Sequence, residues 1–547
     1  NAVAVDSNGD VYVTGAFEQT ATFGSTTLTT AGDDDIFVAK MNSTGHWLWA
    51  IRAGGLYDDE GVDLAIDSSG NVFLTGKFQN TAQFGSDSMT AGPTTNDDFF
   101  IAKLDTWGNW QWVEGIDCHN NGRCYGTSVA VDSVGYAYVT GSFTRDVGVG
   151  TTTLTWEGIE DIFVAKIDTL GSWQWATMAG GAQGYDVAHS IDVGPNGNAF
   201  IAGYFQFTSD FGSDSITANG GSDVFIAKIS QQGDWVWTEA AGGSSSSVAY
   251  AISVDSQGSV FVAGGFYTGI TFGNISYSTG GYSNSFIAKA IDQGNSVVWD
   301  WVIKVSSTSS NSAEDLTFDS NGDLVITGWF TGTAGFGNTA LTSSGDKEAY
   351  VAKILANGNL AWAHKAGSGS DDVGLGIGMD AQGNLYVTGF FFQNPISFGS
   401  VTIAPSGGFD SFIAKMSSDY DQDTIPDSLD DDDDGDFILD ADDGCNPSPF
   451  GFQSLASTDH DSDGCRDSDE DDDDDGDGML DDDDSCPRGM TGWTPGNSTD
   501  IDMDGCLDSI EDYDDDNDGY DDYMDLCPRL EGNSTYEYEE GCPDSDG

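Results

Sequence analysis

The sequence predicts an all-β chain: a seven-bladed β-propeller followed by an irregular repeat tail that has no apolar core. Three observations carry this. Short β-type blocks recur seven times over residues 1–418 with a period of 61–65 residues. An acidic motif then recurs six times in fixed phase between Asp419 and Asp525. Cysteines stand between those acidic loops where an amphipathic stripe would otherwise be.

The block V-Y-V-T-G-A-F ends its core at Gly15, with equivalent glycines at Gly76, Gly141, Gly203, Gly264, Gly328 and Gly389. I-F-V-A-K recurs with Lys40, Lys103, Lys166, Lys228, Lys289, Lys353 and Lys415. A D-S-x-G turn precedes the first block at Asp6, Asp67, Asp132, Asp255 and Asp319, with looser versions at Asp192 and Asp380. Each block is rich in β-branched or aromatic residues, and the turn glycine supplies a positive φ for a tight hairpin. With A-V-A-V-D and W-L-W-A added, each unit reads as four antiparallel strands. A β-solenoid is the runner-up, but its repeats are shorter and less hairpin-like. The W-x-W strand occurs at Trp47, Trp110, Trp173, Trp235 and Trp299, and in reduced form at Leu360/Trp362. After Lys415 it is missing, so the seventh blade lacks its outer strand. The expectation is that residues upstream of Asn1 supply it, or that a neighbouring subunit fills the edge.

The tail, residues 419–547, repeats D-x-D-x-D-x-x-x-D-x-x-D/E. The first loop holds Asp419, Asp421, Asp423, Asp427 and Asp430; the second Asp432, Asp434, Asp436, Asp440 and Asp443. The third holds Asp459, Asp461, Asp463, Asp467 and Glu470; the fourth Asp473, Asp475, Asp477, Asp481 and Asp484. The fifth holds Asp500, Asp502, Asp504, Asp508 and Glu511; the sixth Asp514, Asp516, Asp518, Asp522 and Asp525. Alternating carboxylates closed by one at position 12 suit a hard cation of Ca²⁺ size, and predict about six Ca²⁺ sites or more. Position 6 favours glycine, which Gly464, Gly478, Gly505 and Gly519 supply and Thr424 and Phe437 do not. A merely solvated acidic tail needs no fixed phase. An EF-hand or dockerin needs helices beside each loop, and no 3.6-residue stripe is present.

The tail carries 48 acidic residues and only three basic ones, in a chain of formal net charge −74. That excess excludes nucleic acid as a partner and leaves no affinity for anionic membranes. No apolar stretch is long enough to cross a bilayer, so no membrane insertion is expected within this stretch. The eight cysteines fall as pairs, read as 445–465, 486–506, 527–542 and 118–124. Zinc is the alternative, but no C-x-x-C or Cys/His cluster occurs. Disulfides beside calcium loops place the chain outside the cell, and four sequons at Asn42, Asn274, Asn497 and Asn533 permit glycosylation. The chain starts and stops inside repeats, which reads as part of a longer secreted polypeptide.

No catalytic motif is present, and the chain is expected not to be an enzyme. Positions filled in every repeat belong to the scaffold. The five histidines, His46, His119, His189, His364 and His460, occupy unrelated repeat positions. One constellation departs from the repeat: Asp58, Asp59 and Glu60, then Asp186, Glu314, Asp315, Asp371 and Asp372, in loops leading into the first strand of a blade. These loops are read as solvated, with convergence near a central channel on a cation or sugar as the alternative.

On D-S-x-G-x-V-Y-V-T-G, F-V-A-K and W-x-W, residues 1–418 resemble SBBP repeats of secreted and surface proteins of prokaryotes. On D-x-D-x-D-G-x-x-D-x-x-D with interleaved Cys-Pro, residues 419–547 resemble thrombospondin type 3 repeats. The first resemblance implies a propeller and no particular ligand. The second implies a calcium-organised, disulfide-stapled stalk. Together they imply a structural or adhesive surface protein that contacts an extracellular protein or glycan, or copies of itself. A self-assembling filament or surface-layer subunit is the first alternative, and a secreted propeller hydrolase or lyase the second.

Overall fold

The computed structural model describes residues 1–91, 97–118, 122–319, 322–337, 339–399, 401–417, 432–445, 448, 452–468, 470–496, 498–517, 521–525 and 527–529. The chain divides into two units, Asn1–Met416 and Ser417–Gly547.

The first unit is a seven-bladed propeller in which each blade is an antiparallel sheet laid down in chain order from the inside out. Blade one comprises Ala2–Val5, Val11–Phe17, Asp35–Met41 and Trp47–Ala53. The D-S-x-G turns form as expected: Asp6 Oδ1 accepts the amides of Asn8 and Asp10 at 2.9 and 3.0 Å, and Gly9 takes φ +75°. In blade four the turn begins at Gly194, not Asp192. Asp192 instead accepts the Val254 amide of the next blade at 2.8 Å.

The ring closes on itself. The innermost strands of adjacent blades lie against one another, including Asp372–Met379 of blade seven against Ala2–Val5 of blade one. Seven apolar clusters fill the blade interfaces, the last packing Val3, Val11 and Val13 against Tyr386 and Ile413. The repeated lysines and tryptophans are structural. Lys40 pairs with Asp6 and Asp10 at 3.4 and 2.8 Å while its ammonium sits 4.6 Å from the Tyr12 ring. The second tryptophan of each W-x-W reaches the next blade, as when Trp49 donates to the Thr106 carbonyl at 3.2 Å.

A small extra hairpin between the second and third strands was not foreseen from the sequence. In blade one it is Thr20–Phe23 with Thr26–Thr29. Its Phe-Gly corner tucks the ring under the W-x-W strand: Phe23 meets Trp47 at 4.9 Å, Phe84 meets Trp110 at 5.3 Å and Phe211 meets Trp235 at 5.1 Å. The exit of each blade then bridges to the next blade's hairpin, for example Gly54 to Gln83 and Gly180 to Asp210.

Blade seven has three strands, Asp372–Met379, Leu385–Phe392 and Phe409–Met416. Among the described residues nothing pairs with the outer edge of Phe409–Met416, and nothing bridges to the Thr20–Phe23 hairpin that its missing neighbour would reach.

The second unit has neither helix nor strand among its described residues. Among the described residues its interior is carboxylate: twelve aspartates are buried, against Phe452, Cys465 and Cys506 of apolar type. Disulfides join Cys445 to Cys465 and Cys486 to Cys506, and Cys118 to Cys124 in the propeller. Cys542, the expected partner of Cys527, lies outside the described residues.

Candidate functional site

The acidic loops of the second unit fold by one rule. Positions 4 and 6 both take left-handed backbone: Gly435 and Phe437 at φ +72° and +86°, Ser462 and Gly464 at +65° and +92°, Gly476 and Gly478 at +66° and +102°. Phe437, the poor fit at position 6, thus adopts the glycine conformation with a strained backbone and an exposed ring. These reversals turn amides inward onto carboxylates. Asp473 accepts from Gly478 at 3.0 Å, Asp477 from Met479 at 2.8 Å, and position 9 from position 2, as in Asp481 with Asp474 at 2.9 Å.

At Asp436, Asp473 and Asp477 one oxygen is held by a backbone amide and the other is left for a ligand. The triads Asp432/Asp434/Asp436, Asp459/Asp461/Asp463 and Asp473/Asp475/Asp477 each offer three oxygens within 4.8 Å of one another. Among the described residues, Asp436 Oδ2, Asp473 Oδ1, Asp477 Oδ2 and Asp502 Oδ1 are buried without a hydrogen-bond partner. Two charges at that separation repel by about 3 kcal/mol at an effective dielectric of about 20. Burial first, then the neighbouring carboxylates, pushes Asp436, Asp461, Asp484 and Asp502 up to about 6. A set of hard oxygen donors with orphaned buried atoms fits a divalent cation. Bound there, the ion would supply the positive charge that keeps all three carboxylates ionised.

Position 12 behaves in two ways. In the even loops Asp443 and Asp484 sit against Gly464 and Gly505 of the following loop, where a Cβ would come within 2.0 Å of a carboxylate oxygen. In the odd loops Glu470 and Glu511 turn back: Ser448 donates to Glu470 at 3.3 Å, and Glu511 lies by Gly489 and Asp475. Position 13 is the acid whose charge acts on the triad: beyond the effect of burial, Asp471 raises Asp461 and is raised by Asp463, and Asp512 stands likewise to Asp502 and Asp504. An Asp471 oxygen also lies within 4.8 Å of those of Asp467 and Asp474. The motif as read from the sequence missed Asp471 and Asp512, because spacing alone does not separate neighbouring acids in an acidic run. Asp467 and Asp508 also serve structure, pairing with Arg488 at 2.6 Å and Arg529 at 3.3 Å. In the sixth loop Asp522 accepts from Asp515 at 2.9 Å and Asp525 from Cys527 at 2.8 Å, while Asp514 and the buried Asp516 are described as well. Asp440 accepts from Asp433 at 2.8 Å. The first loop, Asp419, Asp421, Asp423, Asp427 and Asp430, lies outside the described residues, as do Asp518, Gly519 and Thr424.

In the propeller, the carboxylates that depart from the repeat split into two groups. Asp59, Asp186 and Asp372 are fully buried clamps rather than solvated loops. Asp59 accepts the Gly55 and Gln79 amides at 2.6 and 3.0 Å, Asp186 the Gly181 amide at 2.9 Å, and Asp372 the Ser368 amide at 2.6 Å. Burial pushes Asp59 and Asp186 up to about 7 and Asp372 up to about 6. Asp315 likewise accepts the Ile377 amide of the next blade at 2.9 Å. Glu60 and Glu314 instead line a cavity of about 330 Å³ with Asn1, Val62, Thr127, His189, Tyr250 and Leu375.

The fold and these sites define a class: an all-β repeat protein with a seven-bladed propeller and a second unit of disulfides and acidic clusters able to hold metal ions. No family model matches the chain. An uncharacterised WD repeat-containing protein of Acanthamoeba polyphaga mimivirus is 23% identical over 495 residues, covering 75% of this chain and 35% of its own length. The regulatory protein FlaEY of Caulobacter vibrioides is 25% identical over 307 residues, covering 50% of this chain and 30% of its own. The chain spans about a third of the length of these curated relatives. Among solved structures, YCF48 with a bound D1 peptide is 11% identical at TM-score 0.30, covering 61% of this chain and 76% of that one. A puromycin hydrolase is 8% identical at TM-score 0.30, covering 72% and 58%. Likenesses of that size carry no argument about chemistry.

Proposed function

We propose that this chain is a non-enzymatic, extracellular calcium-binding protein in which a propeller head makes protein or glycan contacts and the acidic unit forms a calcium-stiffened stalk. The observation that carries the reading is the repeated aspartate triad, with one oxygen pinned by backbone amides and others buried without a partner. Ions and disulfides then do what an apolar core does elsewhere, and folding of the stalk is coupled to calcium. The likeness to thrombospondin type 3 repeats supports the same reading.

The test is a calcium titration by calorimetry, with Mg²⁺ as the control cation. Asp473→Asn, Asp475→Asn and Asp477→Asn together remove about one ion and leave the other loops saturable. Chelator exposes the stalk to protease while the propeller resists. No calcium uptake above the Mg²⁺ control, or unchanged stalk protection in chelator, sinks the proposal.

A second reading, a self-assembling subunit, is favoured by the outer edge of Phe409–Met416, which has no strand partner among the described residues. It calls for polymers in the electron microscope that form only with calcium.

A further inference from the structure

The larger cavity of the propeller, about 410 Å³, is lined by turn residues such as Asp6, Ser7, Asp67, Ser68 and Gly70. Those are scaffold positions repeated round the ring. The cavity of about 330 Å³ is different in kind. Six of the innermost strands carry a β-bulge, with register shifts between Gly61/Asp63, Gly126/Ser128, Ala188/Ser190, Ala249/Ala251, Ala313/Asp315 and Gly374/Gly376. A bulge re-aims the extra residue. The residues so re-aimed are Val62, Thr127, His189, Tyr250, Glu314 and Leu375, and every one of them lines this cavity. Asn1 holds the same place in blade one, five residues before the turn. Seven repeats thus present seven different residue types at one position, all facing one space.

That space sets the carboxylates of Glu60 and Glu314 among neutral hydrogen-bonding groups. His189 lies between Tyr204 and Tyr250, with ring centroids 5.7 and 5.5 Å away. Burial pushes its imidazole down to about 4, so at neutral pH it offers one donor and one acceptor. Among the described residues, no hydrogen bond is made by the His189 ring nitrogens or by the Tyr204 and Tyr250 hydroxyls. The two carboxylates already have cations near them. Glu60 pairs with Lys77 at 3.1 Å, and Glu314 accepts the Trp329 indole N–H at 2.8 Å under the field of Lys347. Lys347 in turn sits 4.1 Å from the Trp329 ring. A charged ligand would meet no uncompensated opposite charge there. Unused neutral donors and acceptors beside aromatic rings suit hydroxyl groups on an apolar carbon frame.

We propose that the cavity lined by Thr127, His189, Tyr250 and Glu314, with Tyr204 and Trp329 behind His189 and Glu314, binds the end of a neutral saccharide. The volume is at the lower end of small-molecule sites, about 300 Å³ upward, which fits a terminal sugar or two rather than a long chain. The inference rests on the propeller being a recognition head, and it names the ligand class of that head.

The experiment is ligand-observed NMR and calorimetry on the whole chain in millimolar Ca²⁺. The probes are glucose, galactose, mannose, N-acetylglucosamine and lactose, with choline and galacturonate as charged comparators. At least one neutral sugar should saturate. Tyr250→Phe, which removes one hydroxyl, and His189→Ala should each weaken it about tenfold or more with an unchanged propeller melt. Binding should survive chelation. Failure of every neutral sugar to saturate, tighter binding of choline or galacturonate, or an affinity in both variants equal to that of the unsubstituted protein overturns the inference. Sugar binding without calcium uptake would leave this site standing and sink the calcium stalk alone.

Discussion

Single residues in the acidic unit show how one spacing serves two purposes. Aspartates at position 5, Asp436 and Asp477, give one oxygen to a backbone amide, which folds the loop, and leave another for a cation, whereas Asp434 and Asp475 at position 3 accept amides on both oxygens. Position 12 divides by loop, and Glu511 and Asp512 make the division testable. Asp512 faces Asp502 and Asp504, whereas Glu511 turns toward Asp475 of the preceding loop. Asp512→Asn should therefore weaken the fifth loop's calcium site by roughly tenfold, about 1.4 kcal/mol. Glu511→Gln should act mainly on the fourth. Calcium titration of both variants checks the assignment, and equal effects on the fifth loop would reject it.

At the scale of elements, the small hairpin adds a bridge between neighbouring blades, as from Gly54 to Gln83 and Gly180 to Asp210. Phe211 is buried between Phe225 and Trp235, at 5.0 and 5.1 Å, and its hairpin also takes the bridge from Gly180. Phe211→Ala should cost about 3–5 kcal/mol, read as a lower denaturant midpoint for the propeller. The clamp carboxylates give the ring a pH dependence. Asp59, Asp186 and Asp372 have folded values raised by burial to about 7, 7 and 6, from 3.8. An acid raised in the folded state holds its proton where the unfolded chain has lost it, so this contribution is full near pH 4 and is lost as pH rises to 7. Tryptophan fluorescence reports mainly the propeller, since fourteen of the fifteen tryptophans precede residue 417. Its melting temperature should fall from pH 4.5 to 7.5, and a rise would contradict the clamp assignment.

At the scale of the propeller as a whole, the ring is closed by its innermost strands, with Asp372–Met379 against Ala2–Val5. The innermost strands and the apolar interfaces run through all seven blades, so the three-stranded seventh blade does not unseat the others. Among the described residues, its outer edge and the Thr20–Phe23 hairpin leave one strand position without a partner. A synthetic peptide with the sequence of Trp47–Ala53, in excess, should occupy it. The expected outcome is a raised melting temperature for the propeller and suppression of any self-association. An unchanged melt would show that the edge does not accept a strand of this kind.

The propeller was legible because it repeats: the turn aspartates, the A-K lysines and the W-x-W pairs recur at one spacing, and each recurrence reflects a contact every blade needs. The acidic loops were legible for the same reason, down to the left-handed residue at position 6. The extra hairpin was written as openly, in the Phe-Gly pairs from Phe23 to Phe398, but four strands already accounted for each period and nothing local shows where a Phe ring packs. The cavity residues carry the opposite signal, a position at which no two repeats agree. Variation along a chain does not distinguish a free surface from a shared pocket. Local spacing and side-chain type are enough for turns, strands and cation loops, because those forces act between near neighbours. Which of two adjacent acids faces the loop depends on how the chain packs on the preceding loop, as with Glu511 beside Gly489. Which carboxylates are buried clamps depends on a neighbouring strand about twenty positions away, as with Asp59 and Gln79. That His189, Tyr250 and Glu314 line one cavity depends on residues about sixty positions apart being brought together by the packing of successive blades.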